Sequence, residues 1–96
     1  MKAILFSNDG CGSCRKWKPL FNKLMDMFNL EYEQRNLYDP ASKPLKDKYN
    51  VCGIPYTVFV DDEGNEIGNI LGSMDEEIAI RQIQHYIENG TTGDRL

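Results

Sequence analysis

Apolar positions in the first third of the chain form two different patterns. Residues 3–6 form an unbroken apolar run, which is typical of a strand buried on both faces. After a loop over 7–10, apolar residues recur at helical spacing from residue 14 to residue 29. This pattern predicts a helix over 14–29, bent at Pro19 because proline removes a backbone donor and crowds the preceding turn.

Three further segments predict strands. A run rich in β-branched and aromatic residues, bounded by a proline and a polar turn, gives the strongest strand signal in the chain. The segment after that turn is its expected partner in a β-hairpin. A third, more polar segment precedes both. The three strands are expected at 31–37, 56–60 and 66–71.

Two more helices are expected. The first covers 42–49 and has Pro44 in its opening turn, where the missing N–H is tolerated. Ser73 with Glu76 three residues later is a capping-box pattern, which predicts a last helix over 74–89. The apolar stripe of that helix is expected at Ile78, Ala79, Ile83, Tyr86 and Ile87.

The element order β-α-β-α-β-β-α defines an α/β fold. The first two strands, joined by a helix, should pair in parallel through a right-handed crossover, and the hairpin should add antiparallel strands. We therefore expect three layers, with helices on both faces of one four-stranded mixed sheet. This domain should cover residues 1–90, and residues 91–96 lack periodicity and are predicted to be a flexible tail.

Composition narrows the function. The 96 residues are 41% hydrophobic and 27% charged, as in ordinary globular proteins, and the net charge of −4 argues against a nucleic-acid or anionic-membrane binder. No apolar run approaches the roughly 20 residues that span a bilayer. The start of the chain is too weakly apolar for a signal peptide, so a cytoplasmic location is expected. Three cysteines, an odd number, do not suggest a disulfide-stapled secreted domain.

The chemistry is concentrated at Cys11-Gly12-Ser13-Cys14, between the first strand and the first helix. Cys11 precedes the first helical turn, where free backbone N–H groups and the helix dipole favour an anion. A thiolate is the reactive form of cysteine, and such a position lowers a thiol pKa from about 8.5. Cys14 lies one turn further on and should be less exposed. The arrangement suits an attacking thiol, Cys11, and a resolving thiol, Cys14.

Metal binding is the competing interpretation of two closely spaced cysteines. A structural zinc ion takes about four ligands. Besides the pair, this chain offers Cys52 and a single histidine, His85, which is expected on the polar side of the last helix. An iron–sulfur cluster would need a thiolate from another chain. We therefore expect no metal site and interpret His85 as a surface residue.

The order of these motifs resembles the thioredoxin-like superfamily, the small thioredoxins and glutaredoxins, over nearly the whole chain. The matching features are the Cys11–Cys14 motif, Pro19, Gly53-Ile54-Pro55 leading into a strand, the hairpin, and Gly72 after it. The resemblance implies a thioredoxin-like fold, a reversible Cys11–Cys14 disulfide and no bound cofactor. It also implies a cis peptide bond between Ile54 and Pro55. The implied substrate-binding surface around Cys11 consists of Gly10, Gly12, Ser13, Ile54, Pro55 and Gly72.

The chain departs from thioredoxins at three positions. Gly10 stands where thioredoxins have a tryptophan, and Ser13 where they have a proline. Leu5 occupies the place of a buried aspartate that serves proton transfer to the resolving thiol, so Asp9 or a water would have to substitute. Cys52 lies three residues before Pro55. It is interpreted as a small buried hydrophobic residue, with a third redox thiol as the alternative.

The function expected from these observations is thiol–disulfide exchange with protein disulfides. The partners are disulfide-containing proteins and an external reductant, either a thioredoxin-reductase-like enzyme or glutathione, and a monomer is expected. Two alternatives stay open: a glutaredoxin-like, glutathione-dependent oxidoreductase, and a redox-silent interaction or metal-binding module on the same fold. The substrate, the redox potential and the role of Cys52 are not defined by the sequence.

Overall fold

The sheet is mixed and has four strands in the computed structural model, which describes residues 1–89. The strands are β1 (Lys2–Ser7), β2 (Glu31–Asn36), β3 (Tyr56–Val60) and β4 (Glu66–Leu71). Their order across the sheet is β2-β1-β3-β4. β1 pairs in parallel with β2, whereas the β1–β3 and β3–β4 pairs are antiparallel. The predicted parallel crossover and hairpin are both confirmed.

Three α-helices and one short 3₁₀ turn complete the element order within the described residues. Their bounds are α1 (Gly12–Phe28), the 3₁₀ turn (Pro40–Ser42), α2 (Lys43–Lys48) and α3 (Glu76–Asn89). α1 continues through Pro19 without interruption and ends at Asn29, whose φ of 53° is left-handed. The α/β architecture expected from the sequence is therefore the one observed. Within residues 1–89, no helix has both the length and the apolar character required to cross a membrane.

The two faces of the sheet carry separate hydrophobic clusters, because successive side chains of a strand point to opposite sides. Ala3 and Leu5 pack with residues of α1 and α3. Ile4 and Phe6 pack on the other face with the segment that contains α2 and its C-terminal end. β1 is consequently buried on both faces, as its unbroken apolar run predicts. Helices cover the sheet from both sides, which makes the three layers.

The start of each long helix differs from the prediction. α1 begins at Gly12 rather than at residue 14, because Cys11 is extended (φ −94°, ψ 116°) and caps the helix with its side chain. α3 begins at Glu76, so the expected capping box with Ser73 is wrong. The first hydrogen bond of α3 runs from the Ala79 N–H to the Asp75 carbonyl.

The assignment of one residue to the buried stripe of α3 is also wrong. Ile78 is 47% exposed, and Ile80 packs against the core instead. Ala79 and Ile83 are fully buried and define the centre of the stripe. At 100° per residue, Ile80 lies at the margin of this stripe and Ile78 on its far side. The tail predicted at 91–96 lies outside the described residues.

Candidate functional site

Three chain segments meet at one end of the sheet. The loop that carries Cys11 follows the last residue of β1. β3 runs antiparallel to β1, and its first residue, Tyr56, pairs with Phe6 on one side and Leu71 on the other. Pro55 and Gly72 therefore lie at the same end as the cysteine loop. The Gly72 N–H donates to the Pro55 carbonyl at 2.7 Å, which fixes these two segments to each other.

Cys11 and Cys14 are joined as a disulfide at the start of α1, with their Cα atoms 5.2 Å apart. Cys11 is partly exposed, whereas Cys14 is only 1% exposed. The backbone N–H of Cys14 donates to Cys11 Sγ at 3.1 Å, so the sulfur occupies the acceptor position of a helix N-cap. A thiolate at this atom would accept the same hydrogen bond and benefit from the positive end of the helix dipole.

The loop before Cys11 is held by its own backbone. The Cys11 N–H donates to the Asn8 carbonyl at 3.1 Å, which closes a turn. Arg15 Nη2 donates to the Asp9 carbonyl at 3.3 Å. These bonds fix the sulfur of Cys11 relative to α1 without using any acidic side chain.

A buried hydrogen bond connects α1 to β3. Trp17 Nε1 donates to Thr57 Oγ1 at 2.9 Å, and both residues are fully buried. Trp17 is three residues after Cys14, and Thr57 is two residues after Pro55. The bond therefore connects the helix that carries the cysteines to β3, the strand that follows Pro55.

The six residues proposed as a substrate surface lie in these three segments. Gly10, Gly12 and Ser13 are exposed beside the cysteines, Ile54 and Gly72 are half-buried, and Pro55 is buried. The Ile54–Pro55 peptide bond is cis. A side chain on Gly12 or Gly72 would meet no atom within 4 Å, but Gly72 has a φ of +82°, which disfavours any other residue. Leu71, which precedes Gly72, is 65% exposed.

Cys52 is exposed, so its interpretation as a buried hydrophobic residue is wrong. The chain turns at Asn50 (φ 54°). The following residue, Val51, is buried in the cluster that contains Ile4 and Phe6. Cys52 then faces outward, and its thiol donates to the Asn50 carbonyl at 3.5 Å. Cys52 precedes Pro55 by three residues. Burial raises the pKa of Tyr56, the residue after Pro55, and nearby Glu66 raises it further.

Among residues 1–89, no carboxylate is buried in the interior beside Cys14. Leu5, which stands in the place of the thioredoxin aspartate, is fully buried in the core. Asp9 is exposed and contributes its backbone carbonyl, not its side chain, to the loop. The part of the chain that the structure describes contains no group of three or more potential metal ligands, and His85 is on the surface as expected.

A polar cavity of about 220 Å³ lies beside the cysteine loop, on the side away from Pro55 and Gly72. Its residues were not predicted to be functional from the sequence, although polar residues at the carboxyl ends of two parallel strands are a signal for such a crevice. Its walls come from the end of β1, the following loop, α1 and the end of β2. The lining residues are Ser7, Asn8, Asp9, Lys18, Gln34, Arg35 and Asn36.

Comparison with solved structures supports the fold assignment. Thioredoxin 1 of Thermosipho africanus superposes with a TM-score of 0.76 at 25% identity, covering 92% of this chain and 96% of that one. The thioredoxin of Fasciola hepatica superposes with a TM-score of 0.75 at 23% identity, covering 88% of this chain and 79% of that one.

Two curated relatives are chloroplastic thioredoxin-like proteins named HCF164. The protein of Oryza sativa is 30% identical over 88 residues, and that of Arabidopsis thaliana is 28% identical over 82 residues. These matches cover 90% and 83% of this chain but only 31% of each relative, so the chain spans about a third of their length. A family model described as a thioredoxin-like domain matches residues 2–87. The chain therefore belongs to the thioredoxin-like family.

Proposed function

We propose that this protein is a thiol–disulfide oxidoreductase that exchanges disulfides with protein substrates. The observation that carries the proposal is the asymmetric pair at the start of α1. Cys11 is accessible and caps the helix, and Cys14, to which it is bonded, is buried one turn further on. An accessible thiol backed by a shielded one suits sequential attack and resolution.

The exchange proceeds in two steps, formation of a mixed disulfide and its resolution. The Cys11 thiolate attacks one sulfur of a substrate disulfide, that S–S bond breaks, and the released substrate thiolate takes a proton from solvent. The Cys14 thiol then loses its proton to solvent and attacks Cys11 Sγ. The mixed disulfide breaks, and the second substrate sulfur leaves as a thiolate that takes a proton from solvent. The substrate gains two electrons, and the pair is left as the disulfide seen in the structure. An external dithiol or glutathione returns two electrons to it.

The surface beside Pro55 is suited to hold an extended segment of a substrate. Within residues 1–89, the backbone of Ile54 receives no hydrogen bond and donates none, so its polar groups are available to a partner. The exposed side chain of Leu71 and the half-buried side chain of Ile54 provide apolar contacts on this side. Substrate backbone bound at Ile54 would lie beside the accessible sulfur of Cys11.

A redox titration tests whether the pair is catalytic. The protein is equilibrated with glutathione buffers of defined ratio, and the dithiol fraction is measured by alkylation and mass. We expect a reversible two-electron transition between about −200 and −300 mV, the range of catalytic dithiols. Failure to form the Cys11–Cys14 disulfide reversibly would contradict the proposal and favour a redox-silent module.

A trapping experiment tests the roles of the two thiols. The Cys14→Ser variant should accumulate mixed disulfides with protein substrates through Cys11, because no thiol is left to resolve them. Since Cys52 is exposed, the experiment is done in a Cys52→Ser background, and Cys11→Ser in that background is the control. Capture by the Cys11→Ser variant alone would reverse the assignment of the attacking and resolving residues.

A further inference from the structure

We propose that the polar cavity beside the cysteine loop binds a carboxylate side chain of the polypeptide substrate and so selects substrates with an acidic residue near their disulfide. The inference rests on the proposed disulfide exchange. It concerns residues that lie outside the surface formed by Ile54, Pro55 and Gly72. The site would contact the substrate on the opposite side of Cys11 from that surface.

The position of the cavity follows from the strand order. β1 lies between β2 and β3, and the cysteine loop leaves the end of β1. The Pro55 segment is on the β3 side of this loop, whereas the cavity is on the β2 side. It opens at the carboxyl ends of the two parallel strands, where α/β sheets commonly bind ligands. Lys18, in its wall, follows Cys14 by one helical turn on the same face of α1.

Three side chains in the cavity, Lys18, Arg35 and Asn36, have hydrogen-bond donors that no described residue uses. Asn36 Oδ1 accepts from the Tyr38 N–H at 2.9 Å, which leaves the Asn36 amide N–H₂ free to donate. Arg35 uses Nε to bind Glu33 at 3.0 Å, so both terminal nitrogens of its guanidinium are available. Lys18 is half-buried and forms no ion pair with any residue in 1–89. These donors can bind an oxyanion, although Asp9 and the amide oxygen of Gln34, whose Nε2 donates to Asn22, add acceptors to the same wall.

Charge and size both favour a single carboxylate. Lys18 and Arg35 bring positive charge to the wall, and Asp9 brings one negative charge. Because Arg35 is paired with Glu33, Lys18 is the lining cation that has no ion-pair partner among residues 1–89. A charge-assisted hydrogen bond is roughly twice as strong as a neutral one. The volume of about 220 Å³ is below the range of typical small-molecule pockets, about 300–1,000 Å³, but sufficient for an acidic side chain.

A pair of matched peptides tests the proposal. Each peptide contains one intramolecular disulfide, and the two differ only in having Glu or Gln at the positions flanking one cysteine. The pre-reduced protein should reduce the Glu peptide about three- to tenfold faster than the Gln peptide at low ionic strength, with a smaller ratio at 0.5 M salt. The Lys18→Gln variant should bring this ratio to within about twofold of one.

Matched variants separate the cavity from a general charge effect. Lys16→Gln removes the same charge from an exposed position of α1 that does not line the cavity, and it should leave the ratio unchanged. Arg35→Gln should lower the ratio, and Arg35→Lys should restore part of it. Far-UV circular dichroism and urea unfolding verify that each variant is folded.

The outcomes distinguish this inference from the proposed function. No reduction of either peptide would contradict disulfide exchange itself. Reduction of both at equal rates, or an equal loss of the ratio in Lys16→Gln and Lys18→Gln, would overturn the cavity proposal alone. Oxidised glutathione serves as a second carboxylate source. If Lys18→Gln slowed its reduction but left the peptide ratio intact, the site would serve a small molecule and the polypeptide proposal would be overturned.

Discussion

At the residue scale, the difference between Cys11 and Cys14 arises from the geometry of a helix start. Cys11 is the extended N-cap, so its sulfur folds back over the first turn and stays partly exposed. Cys14 is inside the helix, on the face that carries Trp17 and Phe21 into the core. Two intervening residues are therefore enough to give two thiols of unequal access. This is the asymmetry on which the proposed exchange depends.

The Trp17–Thr57 hydrogen bond should be measurable as stability. Thr57→Val keeps the shape of the side chain but leaves the buried Trp17 N–H without a partner, which should cost about 1–3 kcal/mol in the free energy of unfolding. The measurement is urea denaturation of wild type, Thr57→Val, Trp17→Phe and the double variant. Thr57→Val should cost much less in the Trp17→Phe background. Equal costs in both backgrounds would show that the bond itself contributes little.

The sequence predicted the placement of the cysteine pair and of Pro55 better than it predicted the placement of Cys52. Cys11, Cys14 and Pro55 were identified because each has a local signature, a fixed spacing or a place before a strand. Cys52 was assigned to the interior from the average behaviour of cysteine, but its orientation depends on the turn at Asn50, where Val51 takes the buried position. Such a competition between neighbours has no signature in composition or periodicity.

At the element scale, α3 packs directly on β4 at a glycine. A Cβ on Gly68 would overlap the ring of Tyr86, and the Tyr86 hydroxyl donates to the Asn69 carbonyl at 2.9 Å. The Tyr86 ring also lies 5.2 Å from that of Phe59 on the neighbouring strand. Gly68 therefore permits the close contact through which the last helix covers the sheet.

Gly68→Ala should weaken this contact. Because the Tyr86 ring would have to move, we expect a loss of about 1–3 kcal/mol in the free energy of unfolding. In a Tyr86→Ala background the collision is absent, so the same substitution should be neutral or slightly stabilising, since alanine suits a strand better than glycine. Thermal or urea unfolding of the four proteins provides the test. If Gly68→Ala lowered the free energy of unfolding equally in the Tyr86→Ala background, the loss would come from the backbone of β4 and not from the ring.

The β1–β2 pair should show a pH-dependent contribution from Glu33. Partial burial alone would raise the pKa of Glu33, but hydrogen bonds from Lys2 and Arg35 and their positive charges outweigh it, so the pKa is lowered from 4.5. A lowered pKa in the folded state stabilises the protein above the unfolded value and loses this effect as the pH falls through the folded value. Stability from Glu33 is thus present at neutral pH and lost below about pH 4.5.

Urea midpoints of wild type and Glu33→Gln at several pH values test this linkage. At pH 7 the wild type should be more stable by about 0.5–1 kcal/mol, the usual size for a partly exposed ion pair. The difference should shrink as the pH is lowered from 4.5 towards 3. Glu31→Gln, at an exposed position of the same strand, is the control for the loss of one negative charge. A difference that did not change with pH would mean that the ion pairs of Glu33 are not its cause.

At the scale of the whole molecule, the site is a product of strand order. The cysteine loop, the Pro55 segment and Gly72 are far apart in the chain and meet because β3 runs antiparallel to both its neighbours. The element order was predictable from hydrophobic periodicity, since it requires only local patterns. The cavity was not, because its walls combine the ends of two strands with one face of α1, and only the folded chain brings them together.

Folding and disulfide formation form a thermodynamic cycle, so the disulfide should change the free energy of unfolding and folding should change the disulfide equilibrium by the same amount. Cys11 and Cys14 enclose a four-residue loop, for which chain entropy predicts at most about 2 kcal/mol of stabilisation of the oxidised protein over the reduced one. Because the cycle closes, the same free energy must appear as a difference in the glutathione equilibrium between folded and urea-unfolded chains. A difference of 2 kcal/mol corresponds to a factor of about 30 in that equilibrium constant.

Two independent measurements check the cycle. Urea unfolding of the oxidised and reduced proteins gives the stability difference, and glutathione titrations with and without denaturant give the ratio of equilibrium constants. We expect the two to agree within error, with the oxidised form the more stable. The Cys52→Ser variant is used throughout so that only one dithiol titrates. Agreement at a much larger value would mean that the folded structure favours the disulfide through packing around Cys14 rather than through loop closure alone. A more stable reduced form would instead mean that the fold favours the dithiol and that the pair is an oxidant.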